Sequence, residues 1–238
     1  MTFSLIARCA KTGNLGMVVA TYTPAAARAI CVCSPGRGIA VVQALGSAEM
    51  LTRAGKMLDV DANANWIVKA LALSDNNPEL RQLAAVDAKG GAAARTGERN
   101  PSWAGHVIGD GFVAAGNVLV GERVVADMAK AFEASASEPF GDRLMRAIEA
   151  GRDAGGQPEG QTSAAIRVFD TSPYAAIDLR IDAALEPVGE LRRLYDWFKP
   201  LPAYYATQTK NPTGQRWWQY MNEIGHGSWA DWLKRTKG

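Results

Sequence analysis

Blocks of apolar strands alternate along this chain with pairs of amphipathic helices, and this order restricts the possible folds more than any other feature. Many of the strand-like runs do not alternate polar and apolar residues, which is typical of strands buried on both faces. Two sheets facing each other between helical layers would bury them in this way. The sequence therefore predicts an α+β fold, a four-layer αββα sandwich of two mainly antiparallel sheets. The predicted strands are 3–9, 15–21, 29–33, 39–44, 82–86, 92–96, 104–108, 112–116, 163–169 and 175–181, and the predicted helices are 47–58, 62–73, 124–135, 140–154 and 187–198.

Short turn sequences support this division into strands. The segment 11–14 (Lys-Thr-Gly-Asn) and the segment 34–38, which contains Pro and two Gly, are typical hairpin loops. Ser47 precedes the first helical run and is a candidate N-cap. We expect the strands 3–9 and 39–44 to lie in one sheet.

Composition excludes several classes of function. The 238 residues carry 26 basic and 24 acidic side chains, a net charge of +2, so neither nucleic acid nor a membrane is an expected partner. No apolar run reaches the roughly 20 residues that a membrane span requires. Cys31 and Cys33 point to opposite faces of a strand, and the two histidines, His106 and His226, are far apart in sequence, so we expect no metal and no cofactor. The chain has no leader-like start, which favours a reducing, cytoplasmic location.

The composition changes at the C-terminal end, and we predict two regions, a domain over 1–198 and an extension over 199–238. Four of the seven tryptophans lie in the extension, at 217, 218, 229 and 232. Large aromatic residues without a periodic stripe are typical of a contact surface, either on the domain or on a second subunit. We favour the second subunit, and hence a homodimer or larger homo-oligomer.

Thr2 is the first candidate catalytic residue, because strand-like sequence begins directly at this position. Initiator methionine is normally removed before a small residue, and removal would leave Thr2 with a free α-amine. Such a residue combines a nucleophilic hydroxyl with a base whose ordinary pKa is about 8. The alternative is that Thr2 is simply a common second residue.

The order and spacing of short segments resemble the domain-of-unknown-function family 1028 (DUF1028), which is grouped with the N-terminal nucleophile (Ntn) hydrolases. The resemblance begins at 2–8 and 12–20 and covers about residues 2–195. It also includes 42–44, 81–82, 86–87, 96–97, 103–106, 116–119, 154–156, 161–165, 178–180 and 190–194. No single segment is specific to this family, but the order and spacing of the segments together are. The resemblance implies an αββα fold with Thr2 as the nucleophile at the start of a central strand.

The same resemblance implies the rest of a site. Thr21 ends the neighbouring strand, Gln43 and Ala44 form the turn that would supply N–H groups to an oxyanion, and Asn117 is the small polar residue before the second helix pair. Thr162 and Ser163 would supply hydroxyls that orient the amine. Each of these residues has an ordinary structural explanation as well. His106, beside Trp103, either binds substrate or is a structural histidine.

Two functions from different classes remain open. The first is hydrolysis of a carbon–nitrogen (amide) bond in a small-molecule substrate, with Thr2 as nucleophile after loss of Met1. The second is a non-catalytic ligand-binding or assembly protein on the same scaffold. A third, less favoured, is a nucleic-acid or carbohydrate binder that uses the aromatic extension.

Overall fold

The computed structural model describes residues 1–235, which form two compact units divided between Leu191 and Arg192. The strands described are β1 (Thr2–Arg8), β2 (Leu15–Thr21), β3 (Cys31–Ser34), β4 (Gly38–Ala44), β5 (Arg81–Asp87), β6 (Ala92–Thr96), β7 (Trp103–Gly109), β8 (Phe112–Leu119), β9 (Ser163–Phe169) and β10 (Ile177–Ile181). The helices are α1 (Ala48–Asp59), α2 (Ala64–Leu73), α3 (Arg123–Ala134), α4 (Phe140–Asp153), α5 (Pro187–Phe198), α6 (Leu201–Lys210), α7 (Trp217–Glu223) and α8 (Trp229–Arg235). A short 3-10 helix, Pro78–Leu80, precedes β5.

The strands form two antiparallel sheets, as the sequence predicts for the fold class. One sheet has six strands in the order β10-β9-β2-β1-β8-β7, and the other has four in the order β3-β4-β5-β6. The expectation that β1 and β4 share a sheet is wrong. Both edges of β1 are occupied, by β2 and β8, and both edges of β4 by β3 and β5, so the two strands cannot pair.

The two sheets contact each other through apolar side chains. Ile6, Met17 and Val113 of the six-stranded sheet share one buried cluster with Ile39 and Val86 of the four-stranded sheet. We call these five residues the apolar end of the inter-sheet layer. Transfer of such side chains out of water is worth about 1.5–3 kcal/mol each, which makes this cluster a main source of stability.

Helices cover other faces of the sheets. In α1 the buried residues Met50, Leu51, Ala54 and Leu58 recur at three- and four-residue spacing, so one stripe of the helix packs on the four-stranded sheet, as α2 does. The Ser47 side chain accepts a hydrogen bond from the Met50 N–H, which confirms Ser47 as the N-cap. Helices α3 and α4 pack on each other and on strands β1, β2 and β8.

The second unit consists of the end of α5 with α6, α7 and α8. The sequence places the boundary at 198, whereas the compact units divide at 191, inside α5. Trp197, Tyr204 and Met221 form a buried cluster, against which Trp217 and Trp232 pack. The second unit therefore buries part of its aromatic surface within itself, while Trp218 remains 47% exposed. Over residues 1–235, no helix is both long and apolar enough to cross a membrane.

Candidate functional site

Thr2 begins β1, a strand in the middle of the six-stranded sheet, and the register places polar residues beside it. Thr2 lies opposite Thr21 of β2 on one side and opposite Asn117 of β8 on the other. Thr21 in turn lies opposite Ser163 of β9. Because side chains opposite each other in a sheet lie on the same face, these four side chains form a row.

The four-stranded sheet places more polar side chains against this row. Gln43 of β4 and Gln82 of β5 are opposite each other, and each is 1% exposed. Ser4, two residues after Thr2 and so on the same face, is also buried. We call this set the polar end of the inter-sheet layer: Thr2, Ser4, Thr21, Gln43, Gln82, Asn117 and Ser163.

The Thr2 hydroxyl lies beside the peptide bond that joins it to Met1. Its Oγ1 donates a hydrogen bond of 2.5 Å to the Met1 carbonyl oxygen and lies 3.3 Å from Thr21 Oγ1. The Thr21 hydroxyl donates to the same carbonyl oxygen. Two hydroxyls thus converge on the carbonyl of the bond whose cleavage would free the Thr2 amine.

The Met1 α-amine is partly removed from water. Burial lowers its pKa below the ordinary value, while the Glu159 carboxylate acts in the opposite direction. An amine with a lowered pKa is more often neutral, and only the neutral form accepts a proton. Burial therefore favours the neutral form of the Met1 amine.

Two cavities meet at Met1. The larger, of about 470 Å³, is lined by Met1, Thr2, Thr21, Gln43 and Ala44 together with the loop 23–30 and the start of α1. The smaller, of about 240 Å³, is lined by Met1, Ala44, Leu45, Leu80, Arg99, Asn100, Pro101, Asn117 and Val118. The larger volume lies within the range of small-ligand sites, and the smaller one lies just below it. Met1 and Ala44 line both cavities.

Left-handed backbone conformations concentrate around these cavities. Among residues 1–235, six non-glycine residues have positive φ, and four of them line one or both cavities: Ala25, Ala27, Ala44 and Val118, with φ of 60°, 66°, 71° and 53°. A β-branched residue such as Val118 is strained in this region. Backbone strain of this kind is stored preferentially at functional sites.

A continuous hydrogen-bond network connects the polar side chains of the two sheets. Ser4 Oγ donates to Gln43 Oε1 (2.8 Å), and Gln43 Nε2 donates to Gln82 Oε1 (2.7 Å). Gln82 Nε2 reaches Thr96 Oγ1 and the carbonyl oxygens of residues 105 and 116, at 2.8–3.0 Å. Gln82, on β5, therefore forms hydrogen bonds to residues of β4, β6, β7 and β8. These bonds position its neighbours at the polar end.

Asn117 joins the same network and also borders the smaller cavity. Its Nδ2 donates to Gln82 Oε1 at 3.1 Å, and its buried Oδ1 has no hydrogen-bond partner among the described residues. A buried amide oxygen without a partner is costly, so such groups call for an explanation. An oxyanion role for Asn117 must use the second N–H of Nδ2, since Gln82 takes the first.

Thr162 and Ser163 form hydrogen bonds with the loop after β2 and not with the Thr2 hydroxyl. Thr162 Oγ1 donates to the Tyr22 carbonyl, and Ser163 Oγ donates to the Thr23 carbonyl and accepts from the Ala26 N–H. These two hydroxyls hold the loop that lines the larger cavity. Ser163 is fully buried, and neither residue lines a cavity.

Trp103 and His106 lie on β7, at the edge of the sheet, and line neither cavity. His106 Nδ1 shares a hydrogen bond of 2.9 Å with Thr96 Oγ1, which connects it to Gln82. Burial lowers the pKa of His106. His106 therefore contacts the network behind the site rather than either cavity.

Sequence reasoning missed the role of Gln82 and Ser4. Gln82 lies within a segment that resembles the family, but its central place depends on the register of β5 against β4 and on the contact of both with the other sheet. One signal was present: both Gln43 and Gln82 are polar residues at the ends of otherwise apolar strands.

Comparison with known proteins establishes the family. The family model described as "Family of unknown function (DUF1028)" matches residues 2–191. The crystal structure of a DUF1028 protein from Silicibacter pomeroyi is similar, with 30% identity and a TM-score of 0.76 over 83% of this chain and 89% of that chain. The chain therefore belongs to the DUF1028 family.

More distant similarities also exist. HslV from Trypanosoma brucei has 14% identity and a TM-score of 0.43, over 71% of this chain and 99% of that chain. The Anbu (Gly-1) mutant from Hyphomicrobium has 11% identity and a TM-score of 0.45, over 87% and 97%. With TM-scores below 0.5, neither supports an inference about this chain. The curated proteins contain no match.

Proposed function

We propose that this chain is an Ntn-type amidohydrolase that cleaves a carbon–nitrogen bond in a small molecule, with Thr2 as its nucleophile after removal of Met1. The two sheets and their helices then correspond to the four-layer αββα sandwich of that class. The observation that carries the proposal is the position of Thr2, at the start of a central strand, on a cavity, with two hydroxyls directed at the Met1 carbonyl.

The chemistry uses the two functional groups of Thr2. The hydroxyl oxygen attacks the acyl carbon of the substrate, and its proton passes to the neutral α-amine. The tetrahedral intermediate collapses as the carbon–nitrogen bond breaks, and the amine gives its proton to the leaving nitrogen. Water, deprotonated by the same amine, then hydrolyses the Thr2 ester and releases the acid.

Other residues of the polar end support these steps. Thr21 Oγ1, 3.3 Å from Thr2 Oγ1, orients the nucleophile. The remaining N–H of Asn117 and the backbone N–H of Ala44, whose left-handed φ of 71° turns the chain at the cavity, are the donors proposed for the oxyanion. Gln82 and Gln43 are positioning residues, since they fix Asn117 and the end of β4.

Met1 blocks this chemistry while it is present. In that form the Thr2 nitrogen is an amide, which is not a base at neutral pH, and the Met1 residue lies where both cavities meet. Loss of one residue therefore supplies the base and opens the site.

A small β-lactone tests the proposal whatever the natural substrate is, because an activated hydroxyl opens its strained ester and keeps the acyl group. We expect the chain that begins at Thr2 to gain the mass of one reagent on its N-terminal peptide. Thr2→Val, which keeps the β-branched shape, should not be labelled, and Thr2→Ser should be. Mass spectrometry with peptide mapping measures all three.

Equal labelling of Thr2→Val, or an unlabelled parent chain, would overturn the proposal. In the second case the alternative of a non-catalytic binding protein on this scaffold would be the better description. Circular dichroism and urea unfolding of the three chains provide the control that the fold is unchanged.

A further inference from the structure

The two cavities that meet at Met1 share a charge pattern. Arg28 lines the larger cavity and Arg99 lines the smaller one, and both side chains are exposed. Among the described residues that line the two cavities, none is Asp or Glu. Each cavity therefore has one positive side chain and no acidic one in its wall, and the Glu159 carboxylate, which acts on the Met1 amine, lies outside both walls.

These two arginines differ from most others in the first unit. Nine arginines in residues 1–191 have a carboxylate within 3.3 Å: 37, 53, 81, 95, 123, 146, 152, 167 and 180. Within the part of the chain that the structure describes, neither Arg28 nor Arg99 has such a partner. A guanidinium that borders a cavity without an internal partner is suited to bind a carboxylate of a ligand in a bidentate manner.

Removal of Met1 would connect the two cavities. Met1 lines both of them, and the residue that follows it, Thr2, lines the larger one. Without Met1, a single groove would run from Arg28, past the Thr2 amine and hydroxyl, to Arg99. An extended small molecule in this groove would have its middle at Thr2 and its two ends at the arginines.

We propose that the substrate is a small amide with a carboxylate at each end and the scissile carbon–nitrogen bond between them, bound by Arg28 and Arg99. This inference rests on the proposed function, because it places the bond to be cleaved at Thr2. The two arginines set specificity, and the hydrolysis itself remains with Thr2. The acyl and amine halves of the substrate each contribute one of the carboxylates.

Binding of small amides to a Thr2→Val chain that lacks Met1 tests this directly, because that chain cannot hydrolyse them. The dianionic probe is N-glutarylglycine. N-butyrylglycine lacks the acyl-side carboxylate, N-glutarylethylamine lacks the amine-side carboxylate, and N-butyrylethylamine lacks both. Isothermal titration calorimetry measures each affinity in that chain and after Arg28→Gln or Arg99→Gln. Arg37→Gln is the matched control, because Arg37 is an exposed arginine paired with Asp61 and lines neither cavity.

We expect Arg28→Gln and Arg99→Gln each to weaken binding of N-glutarylglycine about two- to fivefold, the effect of one ion pair at an exposed site. Each substitution should also affect one monoanionic probe and leave the other unchanged, and the two substitutions should affect opposite probes. Arg37→Gln should change nothing. The neutral probe should bind most weakly.

Two results would overturn the inference: equal binding of the neutral and dianionic probes, or an equal loss for all probes in both arginine variants. The proposed function and this inference are refuted by different results. Labelling of Thr2 by the β-lactone without binding of the dianion would refute only the substrate class. Arginine-dependent binding without labelling would refute only the hydrolase.

Discussion

The two ends of the inter-sheet layer are made of opposite kinds of side chain, although the same strands run through both. At the apolar end, Ile6 lies opposite Met17 and Val113, and all three are buried against the other sheet. Four residues earlier on β1, Thr2 lies opposite Thr21 and Asn117. The pairing of β1 with β2 and β8 is the same at both places, so within these three strands the difference lies in the side chains.

The apolar end gains free energy from burial, whereas the polar end must meet the hydrogen-bonding needs of every buried group. It does so almost completely: in the described residues, Asn117 Oδ1 is the one atom of the polar end without a partner. Strained backbone at Ala44 and Val118 adds a further cost there. Departures of this kind from a purely apolar layer are expected at functional sites, which is consistent with the function proposed for the polar end.

The largest effect on stability should come from the apolar end. Ile6 is 1% exposed, and Ile6→Ala removes buried methyl groups and leaves a cavity. We expect the free energy of unfolding to fall by about 2–5 kcal/mol, measured by urea denaturation. Ile108→Ala is the control, because Ile108 is 48% exposed and its truncation should cost less than about 0.5 kcal/mol. Similar losses in the two variants would show that the apolar end contributes no more to stability than an exposed isoleucine does.

Gln82→Leu should produce the next largest effect, by a different mechanism. The leucine fills most of the space, but it leaves Gln43, Thr96, Asn117 and two backbone carbonyls without their partner. We expect a loss of about 1–3 kcal/mol in urea unfolding, together with slower β-lactone labelling of Thr2. A stability loss with unchanged labelling would show that the network does not position the site.

The smallest predicted effect is a dependence of the free energy of unfolding on pH. Burial lowers the pKa of folded His106 below its ordinary 6.5, so between those two values the unfolded chain binds a proton that the folded chain does not. The free energy of unfolding should therefore decrease as the pH falls below about 6.5 and level off below the folded pKa. His106→Gln, which keeps a group able to bond Thr96, should reduce this slope. A variant with the same slope as the parent would exclude His106 as its origin.

Local patterns in the sequence predicted the strands and helices of the first unit, because each is bounded by turn residues and has its own periodicity. They did not predict that β1 and β4 lie in different sheets, since pairing of distant strands leaves no local signal. Helices α6, α7 and α8 were not predicted either. Helix α6 has only a weak apolar stripe, and α7 and α8 have seven residues each, too few to show a helical period.

The structure brings together part of the site that the sequence predicts, namely Thr2, Thr21, Gln43, Ala44, Asn117, Thr162 and Ser163. The first four line one cavity and Asn117 lines the neighbouring one, whereas Thr162 and Ser163 line neither. Gln82 could not be predicted, because its contacts depend on the register of two sheets. The left-handed conformation of Ala25 and Ala27 could not be predicted either. Alanine, unlike glycine or asparagine, is not typical of this conformation.

Two preparations that differ only in Met1 test whether the polar end supports chemistry at a free Thr2. One fusion is cut by its protease to leave Thr2 first, and the other to leave Met1 before Thr2, with intact mass confirming each. We expect β-lactone to label the chain that begins at Thr2 and not the chain that begins at Met1, while the free energies of unfolding of the two agree within about 1 kcal/mol. Equal labelling of both preparations would contradict this expectation.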